Sequence, residues 1–256
     1  MSILYIVATP IGNLEDISLR AIRILGEVDF VLCEDTRVTR NLLTHYKITT
    51  PTISYHQHSN EKQVGNILEL FDQGKNLALV TDAGTPGISD PGGKLVAAVI
   101  DRFGDDIKVE SVPGPSAVTA ALSISGVAAD KFIFLGFPPH KKGRQTFIKK
   151  IIESEYPVVV YESKHRIVKF LEELKELANK TPDDVAEMED EELGRFRKYK
   201  RNKEENKKIN LTSIVVCREL SKMFETVYRG ELDGIIEKIT AHENDQKGEF
   251  VVIIGK

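Results

Sequence analysis

The sequence predicts an α/β protein organised as two α/β domains. Short aliphatic and β-branched runs alternate with longer segments whose apolar residues recur at helical spacing. The runs are apolar throughout, which is typical of strands buried on both faces of a mainly parallel sheet with helices on either side. With 256 residues, 41% hydrophobic and 29% charged, the chain is long enough for two cores and too apolar for wholesale disorder.

In the first half this alternation continues as far as Val112. Thr36 is suited to cap a helix, because its hydroxyl can accept a hydrogen bond from a free N–H of the first turn. The predicted elements are a strand at Ile3–Ala8, a helix at Leu19–Leu25, a strand at Phe30–Cys33, a helix from Thr36 to about His45, a helix at Glu61–Gln73, a strand at Leu77–Thr81, a helix at Lys94–Phe103 and a strand at Lys108–Val112.

The segment from Val112 to Ser116 interrupts the series, because its two prolines and its glycine cannot continue a strand. We place the domain boundary here, with one α/β domain at 1–114 and a second at 115–256. The second half is predicted to contain helices at Ala117–Ser125, Thr146–Ile152, Ile167–Ala178 and Leu232–Ala241, and strands at Phe132–Leu135, Val158–Tyr161, Ile214–Cys217 and Phe250–Ile254.

Composition and charge exclude several classes of protein. A formal net charge of −4 argues against a protein that coats nucleic acid over its whole surface, although a local basic patch could still bind phosphates. The longest apolar runs are far too short to span a bilayer, and Met1–Tyr5 has neither a basic region nor a cleavage-type site. We therefore expect a cytoplasmic protein without a membrane segment.

Cys33 and Cys217 are far apart in the sequence and lack the spacing of metal ligands. We expect two buried thiols in a reducing cytoplasm. No metal site is predicted.

Residues 179–210 differ in composition from the rest of the second domain. An acidic stretch at Asp183–Glu192 is followed by a basic one at Arg195–Lys208, with little apolar periodicity. A solvated helical hairpin or a flexible insertion explains this pattern, and a basic finger that touches RNA phosphates is the functional alternative. We therefore expect a charged insertion at this point.

Four loops contain residues that let a ligand approach the backbone. Ligands of open α/β sheets bind beyond the carboxyl ends of the strands, where such loops lie. We therefore expect the four to contribute to one binding site. They are Thr9–Leu14, Thr81–Gly93, Pro113–Ala117 and Tyr161–Ser163.

The loop Thr81–Gly93 is the most informative of the four. Its four glycines and two prolines require an unusual backbone path. It contains no lysine and no phosphate-loop spacing, and Asp82 and Asp90 flank its turn. A cationic ligand that carries adenine, such as S-adenosylmethionine, suits these groups better than a phosphate does. A purely structural glycine-rich turn is the alternative.

Seven short motifs stand in order along the chain: Tyr5–Ile17, Glu34–Arg37, Ser54–His56, Asp82–Pro86, Ile88–Gly92, Pro113–Ala117 and Tyr161–Ser163. In sequence and spacing they resemble the ribosomal RNA small-subunit methyltransferase I family, over nearly the whole chain except residues 179–210. Relatives that modify tetrapyrroles or act in the diphthamide pathway usually carry Gly-Gly-Asp-Pro in the second loop. This chain has Ala83-Gly84-Thr85-Pro86 there, which favours the RNA branch.

The resemblance implies two α/β domains of tetrapyrrole-methylase type with the cofactor cleft between them, and a homodimer. It implies S-adenosylmethionine as cofactor. The implied substrate is the ribose 2′-hydroxyl of a cytidine in the decoding centre of small-subunit (16S) ribosomal RNA, within an assembled subunit. By position in the motifs, the expected donor-binding residues are Pro10, Asp82, Ala83, Gly84, Thr85, Ile88, Ser116, Ala117, Tyr161, Glu162 and Leu220.

Methyl transfer needs no nucleophile from the protein, because the sulfonium already activates the methyl carbon and positioning supplies most of the rate. A ribose hydroxyl is only weakly acidic, so a base, or a cation near the developing oxyanion, would help. His56, Asp35 and Glu162 are the candidate bases, and Arg37 is the candidate cation. His56 is favoured because its segment is polar yet follows strand-like residues, although a structural histidine is the alternative.

Contacts to RNA phosphates require exposed basic residues on one face. Three basic clusters lie near the candidate loops, and each alone is also typical of a solvated surface. The candidates are Arg20, Arg37 and Arg40, then Lys141, Lys142 and Arg144 after Phe137-Pro138-Pro139, and finally His165 and Arg166.

Two other functions are compatible with the same fold. One is a methylase of a small tetrapyrrole or of a protein side chain, against which the second loop and the basic turn at Lys141 argue. The other is a non-catalytic ribosome-assembly factor that binds RNA and has lost donor binding. Calorimetry with S-adenosylmethionine distinguishes the last, because a pure RNA-binding factor should show no heat.

Overall fold

The computed structural model describes residues 1–56, 59, 61–178 and 213–255. The chain forms two compact units, Met1–Ala120 and Ala121–Lys256. The division falls after Ala120 rather than after Gly114, and the loop that follows Gly114 is hydrogen-bonded within the first unit, where Thr85 Oγ1 donates to the carbonyl of Pro115 at 3.1 Å. The charged segment at 179–210 lies outside the described residues.

The first unit contains a five-stranded sheet in the order β3-β2-β4-β1-β5, and every pair in it is parallel. Its strands are β1 (Ser2–Val7), β2 (Phe30–Cys33), β3 (Thr52–Ser54), β4 (Leu77–Leu79) and β5 (Ile107–Val112), and its helices are α1 (Leu19–Glu27), α2 (Thr36–His45), α3 (Glu61–Asp72) and α4 (Gly92–Phe103).

Helices cover both faces of this sheet, as the continuous apolar runs predict. Alternate strand residues belong to opposite clusters: Val31 packs with residues of α1 and α2, whereas Leu32 packs with residues of α3 and α4. Both side chains are fully buried. A strand that is buried on both faces has no polar side to alternate with its apolar side.

The second unit contains a different sheet, in the order β6-β7-β10-β8-β9. Among its described strands, β6 and β7 are parallel and the other pairs are antiparallel. The strands are β6 (Ile133–Gly136), β7 (Val158–Ser163), β8 (Ser213–Arg218), β9 (Thr226–Gly230) and β10 (Glu249–Gly255), and the helices are α6 (Arg144–Glu153), α7 (Ile167–Ala178) and α8 (Leu232–Ala241), while α5 (Ala117–Ser125) spans the division.

The expectation of a mainly parallel sheet is therefore right for the first unit, and it does not extend to the second. β10 is apolar and buried on both faces from Phe250 to Ile254, yet it runs antiparallel to both of its neighbours. Apolar continuity reports burial and carries no information on strand direction. The short strands β3 and β9 were not predicted, and the helical N-cap is Asp35 rather than Thr36.

No helix of the described residues is long and apolar enough to cross a membrane. Cys33 and Cys217 are buried free thiols, as predicted.

Candidate active site

The parallel strands of the first unit place several loops at one edge of the sheet. Residues after β1, β2, β3 and β4 all leave its carboxyl edge, because parallel strands end on the same side. This edge contains the motifs at Thr9, Glu34, His56 and Thr81. The candidate loops of this unit therefore form one cluster.

Thr9 joins the first loop to the second. Its backbone N–H donates to the carbonyl of Gly84 at 2.9 Å, and the N–H of Gly84 donates back at 3.1 Å. The hydroxyl of Thr9 donates to the carbonyl of Thr81 at 3.0 Å. Gly84 has a φ of +83°, a conformation that glycine adopts without steric cost.

The third loop is held against the first two. Gly114 lies so close to Ala8 that a Cβ added to it would stand 3.0 Å from the Ala8 Cβ. Together with the bond from Thr85 to Pro115, this contact brings the loop of Ser116 and Ala117 to the same cluster. Pro10, Asp82–Thr85 and the third loop are thus neighbours in the first unit.

Asp90 organises the turn that leads into α4. Its carboxylate accepts hydrogen bonds from the backbone N–H of Gly87, at 2.8 and 2.9 Å, and of Gly92, at 2.7 Å. The bond to Gly92 satisfies an otherwise free donor at the start of the helix, so α4 begins at Gly92 rather than at Lys94. A Cβ on Gly92 would lie 2.9 Å from the Gly87 nitrogen, so only glycine fits.

The exposed surface of the second loop suits a positively charged ligand with an aromatic base. Asp82 and Ala83 are exposed, and Ile88 is 47% exposed. Asp82 accepts a hydrogen bond from the backbone N–H of Asp35 at 3.2 Å, which orients its carboxylate. Because the loop has no basic side chain, it offers carboxylates, carbonyls and apolar surface. These groups fit a sulfonium, an ammonium and an adenine better than a phosphate.

Glu34, at the end of β2, was not among the predicted site residues. It is partly buried, and its Oε1 accepts a 2.6 Å hydrogen bond from the hydroxyl of Thr81. Burial raises the pKa of its carboxyl, and the nearby charges of Asp90 and Asp82 raise it further, against the lowering effects of Thr81 and His56. A signal was present in the sequence, since a glutamate directly after a buried apolar strand is unusual.

Asp35 and Arg37 are bonded to each other at the start of α2. Asp35 caps the helix by accepting from the Arg37 N–H at 2.8 Å, and it also accepts from the guanidinium at 3.1 and 2.7 Å. These hydrogen bonds lower the pKa of Asp35 to about 2, which makes it a poor base. The side chain of Arg37 is 87% exposed, and its guanidinium is already paired with the carboxylate of Asp35.

His56 follows β3 at the same edge. Its backbone is fixed by two hydrogen bonds with Ser59, since its N–H donates to the Ser59 hydroxyl at 2.9 Å and its carbonyl accepts from the Ser59 N–H at 2.8 Å. Its side chain is close enough to Glu34 to interact with it, and this interaction lowers the pKa of the Glu34 carboxyl.

The second unit holds its candidate residues at the ends of β7 and β8. Both strands pair antiparallel with β10, so both end beside its first residues. Tyr161 packs edge-on against Phe134, with ring centroids 4.9 Å apart. Leu220 lies between Glu219 and Ser221, which have φ angles of +52° and +67°. Non-glycine residues adopt this left-handed conformation at a cost, so the loop has a specific shape.

The side chain of Glu162 is buried in a charge network and is not exposed at a surface. Its residue is 1% exposed, and Oε1 accepts from the Ser163 N–H at 2.7 Å and from Arg166 Nη2 at 2.8 Å. Arg144 Nη1 lies 3.8 Å from Oε2. A carboxylate held in this way cannot approach a substrate without breaking the network, which argues against its expected role as a base.

The predicted RNA-binding residues fall into two groups. Arg144 is 5% exposed and is bonded to Glu173 at 2.6 Å, and Arg166 is largely buried against Glu162. Their charges are neutralised inside the second unit, so neither is placed to bind a phosphate. The remaining candidates are exposed, namely Arg20, Arg37 and Arg40 in the first unit and Lys141, Lys142 and His165 in the second.

Solved structures share this fold. Diphthine synthase aligns over 100% of this chain and 90% of its own length, with a TM-score of 0.66 and 14% identity. Uroporphyrin-III-C-methyltransferase from Thermus thermophilus aligns over 100% and 95%, with a TM-score of 0.59 and 19% identity. The architecture is thus that of the tetrapyrrole-methylase class, and residues 3–236 match the family described as tetrapyrrole (corrin/porphyrin) methylases.

Similarity in sequence identifies one family within this class of methylases. The chain is 41% identical to ribosomal RNA small subunit methyltransferase I of Synechocystis sp., over 99% of this chain and 79% of that one. The proteins of the same name from Hydrogenobaculum sp. and Thermotoga maritima are 39% and 36% identical, over 99% of this chain and 95% and 98% of theirs. The chain belongs to the ribosomal RNA small subunit methyltransferase I family of the tetrapyrrole methylases.

Proposed function

We propose that this chain transfers a methyl group from S-adenosylmethionine to the ribose 2′-hydroxyl of a cytidine in the decoding centre of 16S ribosomal RNA. The observation that carries the proposal is the loop Thr81–Gly93, whose turn is fixed by Asp90. It exposes the carboxylate of Asp82 and the side chain of Ile88, and it contains no basic side chain. The names of its relatives support small-subunit ribosomal RNA as the substrate.

The residues of the first unit that would hold the donor are Pro10, Asp82, Ala83, Gly84, Thr85, Ile88, Ser116 and Ala117. Tyr161 and Leu220 are the proposed contribution of the second unit, together with the backbone of Glu162. When bound, the sulfonium supplies a methyl group that is already activated for displacement. Asp82 would balance positive charge, and Ile88 would pack against the adenine.

Glu34 is the proposed base for the ribose hydroxyl. The hydroxyl of Thr81 fixes Oε1 of Glu34, and the other carboxylate oxygen is the proposed proton acceptor. Its raised pKa makes it a stronger base than an ordinary carboxylate and far stronger than Asp35. His56 lies close enough to influence its charge and is proposed as its neighbour in the site.

Exposed basic residues would contact the RNA backbone. Arg20, Arg37 and Arg40 belong to the first unit, and Lys141, Lys142 and His165 to the second. Contacts of this kind orient a substrate without reading its sequence. We also propose that the protein is a cytoplasmic homodimer and that it acts on an assembled small subunit.

The test combines donor binding with mapping of the product. Calorimetry with S-adenosylmethionine should show a saturable heat, and small subunits from a strain that lacks the gene should then accept one methyl group. Primer extension at low nucleotide concentration should stop at one cytidine of the decoding centre. Binding without transfer to such subunits, or a methyl group on a base rather than a ribose, would refute the assignment.

A further inference from the structure

A buried network of four charged side chains lies at the end of β7. Glu162 accepts from Arg166 at 2.8 Å and lies 3.8 Å from Arg144, which in turn donates to Glu173 at 2.6 Å. The side chains of Arg144 and Arg166 are 7% and 16% exposed, and that of Glu162 is fully buried. Two arginines thus share one buried glutamate.

Both arginines also hold the same stretch of backbone. Nη1 of Arg144 donates to the carbonyl of Pro139 at 3.1 Å, and Nη1 of Arg166 donates to the carbonyl of Pro138 at 3.0 Å. These prolines begin the basic turn, which we define as residues 137–143 and which presents Lys141 and Lys142 to solvent. The turn is therefore anchored from two places, the first residue of α6 and the turn that precedes α7.

The chemistry of the network requires guanidinium groups. Burying charges is costly unless they are paired and hydrogen-bonded, and removing one partner leaves the others uncompensated. Arg166 bonds to Glu162 and to Pro138 through two different nitrogens at once, a planar fork that a lysine ammonium cannot reproduce. A basic residue that served only to attract phosphate would have no need of this geometry.

We propose that Arg144, Arg166 and Glu162 are positioning residues that set the conformation of the basic turn, and that Lys141 and Lys142 make the contact with the RNA backbone. This inference rests on the proposed function. The buried carboxylate of Glu162, in the family motif Tyr161–Ser163, would then contribute to RNA binding indirectly, by fixing the basic turn. In this proposal Arg144 and Arg166 do not contact phosphates themselves.

The decisive variant is Arg166→Lys, which keeps the charge and removes the fork. Hydrogen exchange should become about tenfold faster at the amide of Arg144, which closes the basic turn by donating to the carbonyl of Lys141 at 3.1 Å; this is the change expected when a bond to a charged group is lost. Affinity for small subunits should fall by about threefold or more, with the slope of affinity against salt unchanged because no charge is removed. Unchanged exchange, or faster exchange with unchanged affinity, would overturn the proposal.

Two control variants separate position from charge. Lys164→Gln removes an exposed charge two residues from Arg166 and should leave exchange in the basic turn unchanged. The double variant Lys141→Gln/Lys142→Gln should weaken RNA binding with the bonds of Pro138 and Pro139 intact, and so without faster exchange at the neighbouring amides. Faster exchange in either control would show that the turn is not held by the arginines.

A second route covers the case in which Arg166→Lys does not fold. Gly143 has a φ of +80°, so Gly143→Ala strains the turn while leaving all four charged side chains in place. Weaker RNA binding in this variant supports the proposal, and wild-type affinity contradicts it. If the unaltered protein binds no subunits, the proposed function fails, whereas the exchange measurement still decides whether the arginines hold the turn.

Discussion

The hydroxyl of Thr81 donates a 2.6 Å hydrogen bond to Oε1 of Glu34, and so joins the ends of two neighbouring parallel strands. The carbonyl of the same Thr81 accepts from the hydroxyl of Thr9. A single residue thus links the glutamate to the loop that follows β1. This relationship places a carboxyl of raised pKa beside the proposed donor loop, and the first three predictions depend on it.

Glu34→Gln should abolish most methyl transfer without harming the fold. The amide oxygen can still accept from Thr81, but the amide cannot take a proton from the substrate, so a loss of about 100-fold or more is expected in the single-turnover rate. Donor affinity by calorimetry should stay within about twofold, because a general base contributes mainly to the transition state. A rate near that of the unaltered protein would exclude Glu34 as the base.

The same substitution should stabilise the protein at neutral pH. Burial raises the pKa of Glu34, so folding favours its protonated form, and the free energy of unfolding falls as pH rises through that pKa. The neutral amide escapes this penalty. The melting temperature of Glu34→Gln should therefore exceed that of the unaltered protein at pH 7, and the difference should vanish at pH 4. An equal difference at both values would contradict the explanation.

The pH profile of the reaction should report the surroundings of Glu34. Methyl transfer in single turnover should increase with pH as Glu34 loses its proton, with a midpoint above the ordinary glutamate value of 4.5. His56 lowers the pKa of Glu34, so His56→Gln should move this midpoint to higher pH. If His56→Gln instead removes the pH dependence, the histidine is the base.

Two adjacent glycines provide a matched test of the donor loop. A Cβ on Gly92 would meet the Gly87 nitrogen and the Asp90 carboxylate at 2.9 Å, whereas a Cβ on Gly93 would meet nothing within 4 Å. Gly92→Ala should cost about 1–3 kcal/mol in stability and lower donor affinity, because the backbone must shift. Gly93→Ala should keep full affinity and gain up to about 1 kcal/mol as an alanine in a helix. Similar donor affinities of the two variants in calorimetry would show that this loop does not bind the donor.

Charge reversal on the basic turn should affect RNA and not donor binding. Lys141→Glu/Lys142→Glu should reduce affinity for small subunits by about tenfold or more at low salt, and lessen the salt slope by roughly one for each lost phosphate contact. Lys150→Glu/Lys238→Glu makes the same change at exposed helical positions and should have little effect. Filter binding across a salt series measures the affinity of both variants for small subunits. Equal losses of affinity would show that the net charge of the protein matters and the position of the lysines does not.

Several elements of the fold can be predicted from the local sequence. The apolar runs of β2 and of α7 and the small-residue pattern of α5 predict elements with the observed bounds, because burial and helical period are local properties. The composition of Thr81–Gly93 likewise indicates a special backbone path, and the structure shows it in the positive φ angles of Gly84 and Gly87. Glycine and proline impose these features wherever they stand.

Other features were decided by tertiary structure alone. The antiparallel course of β10 depends on which strands flank it, and its apolar run is the same in either direction. Arg144 and Lys142 belong to one basic cluster in the sequence, yet one is buried against Glu173 and the other is exposed. The raised pKa of Glu34 likewise comes first from its burial in the folded chain, and then from the charges of Asp90 and Asp82, which lie more than 40 residues away in the sequence. The sequence by itself determined the elements and the glycine-rich loop, because those follow from neighbouring residues, whereas the charge and exposure of each candidate side chain depend on residues that only folding brings close.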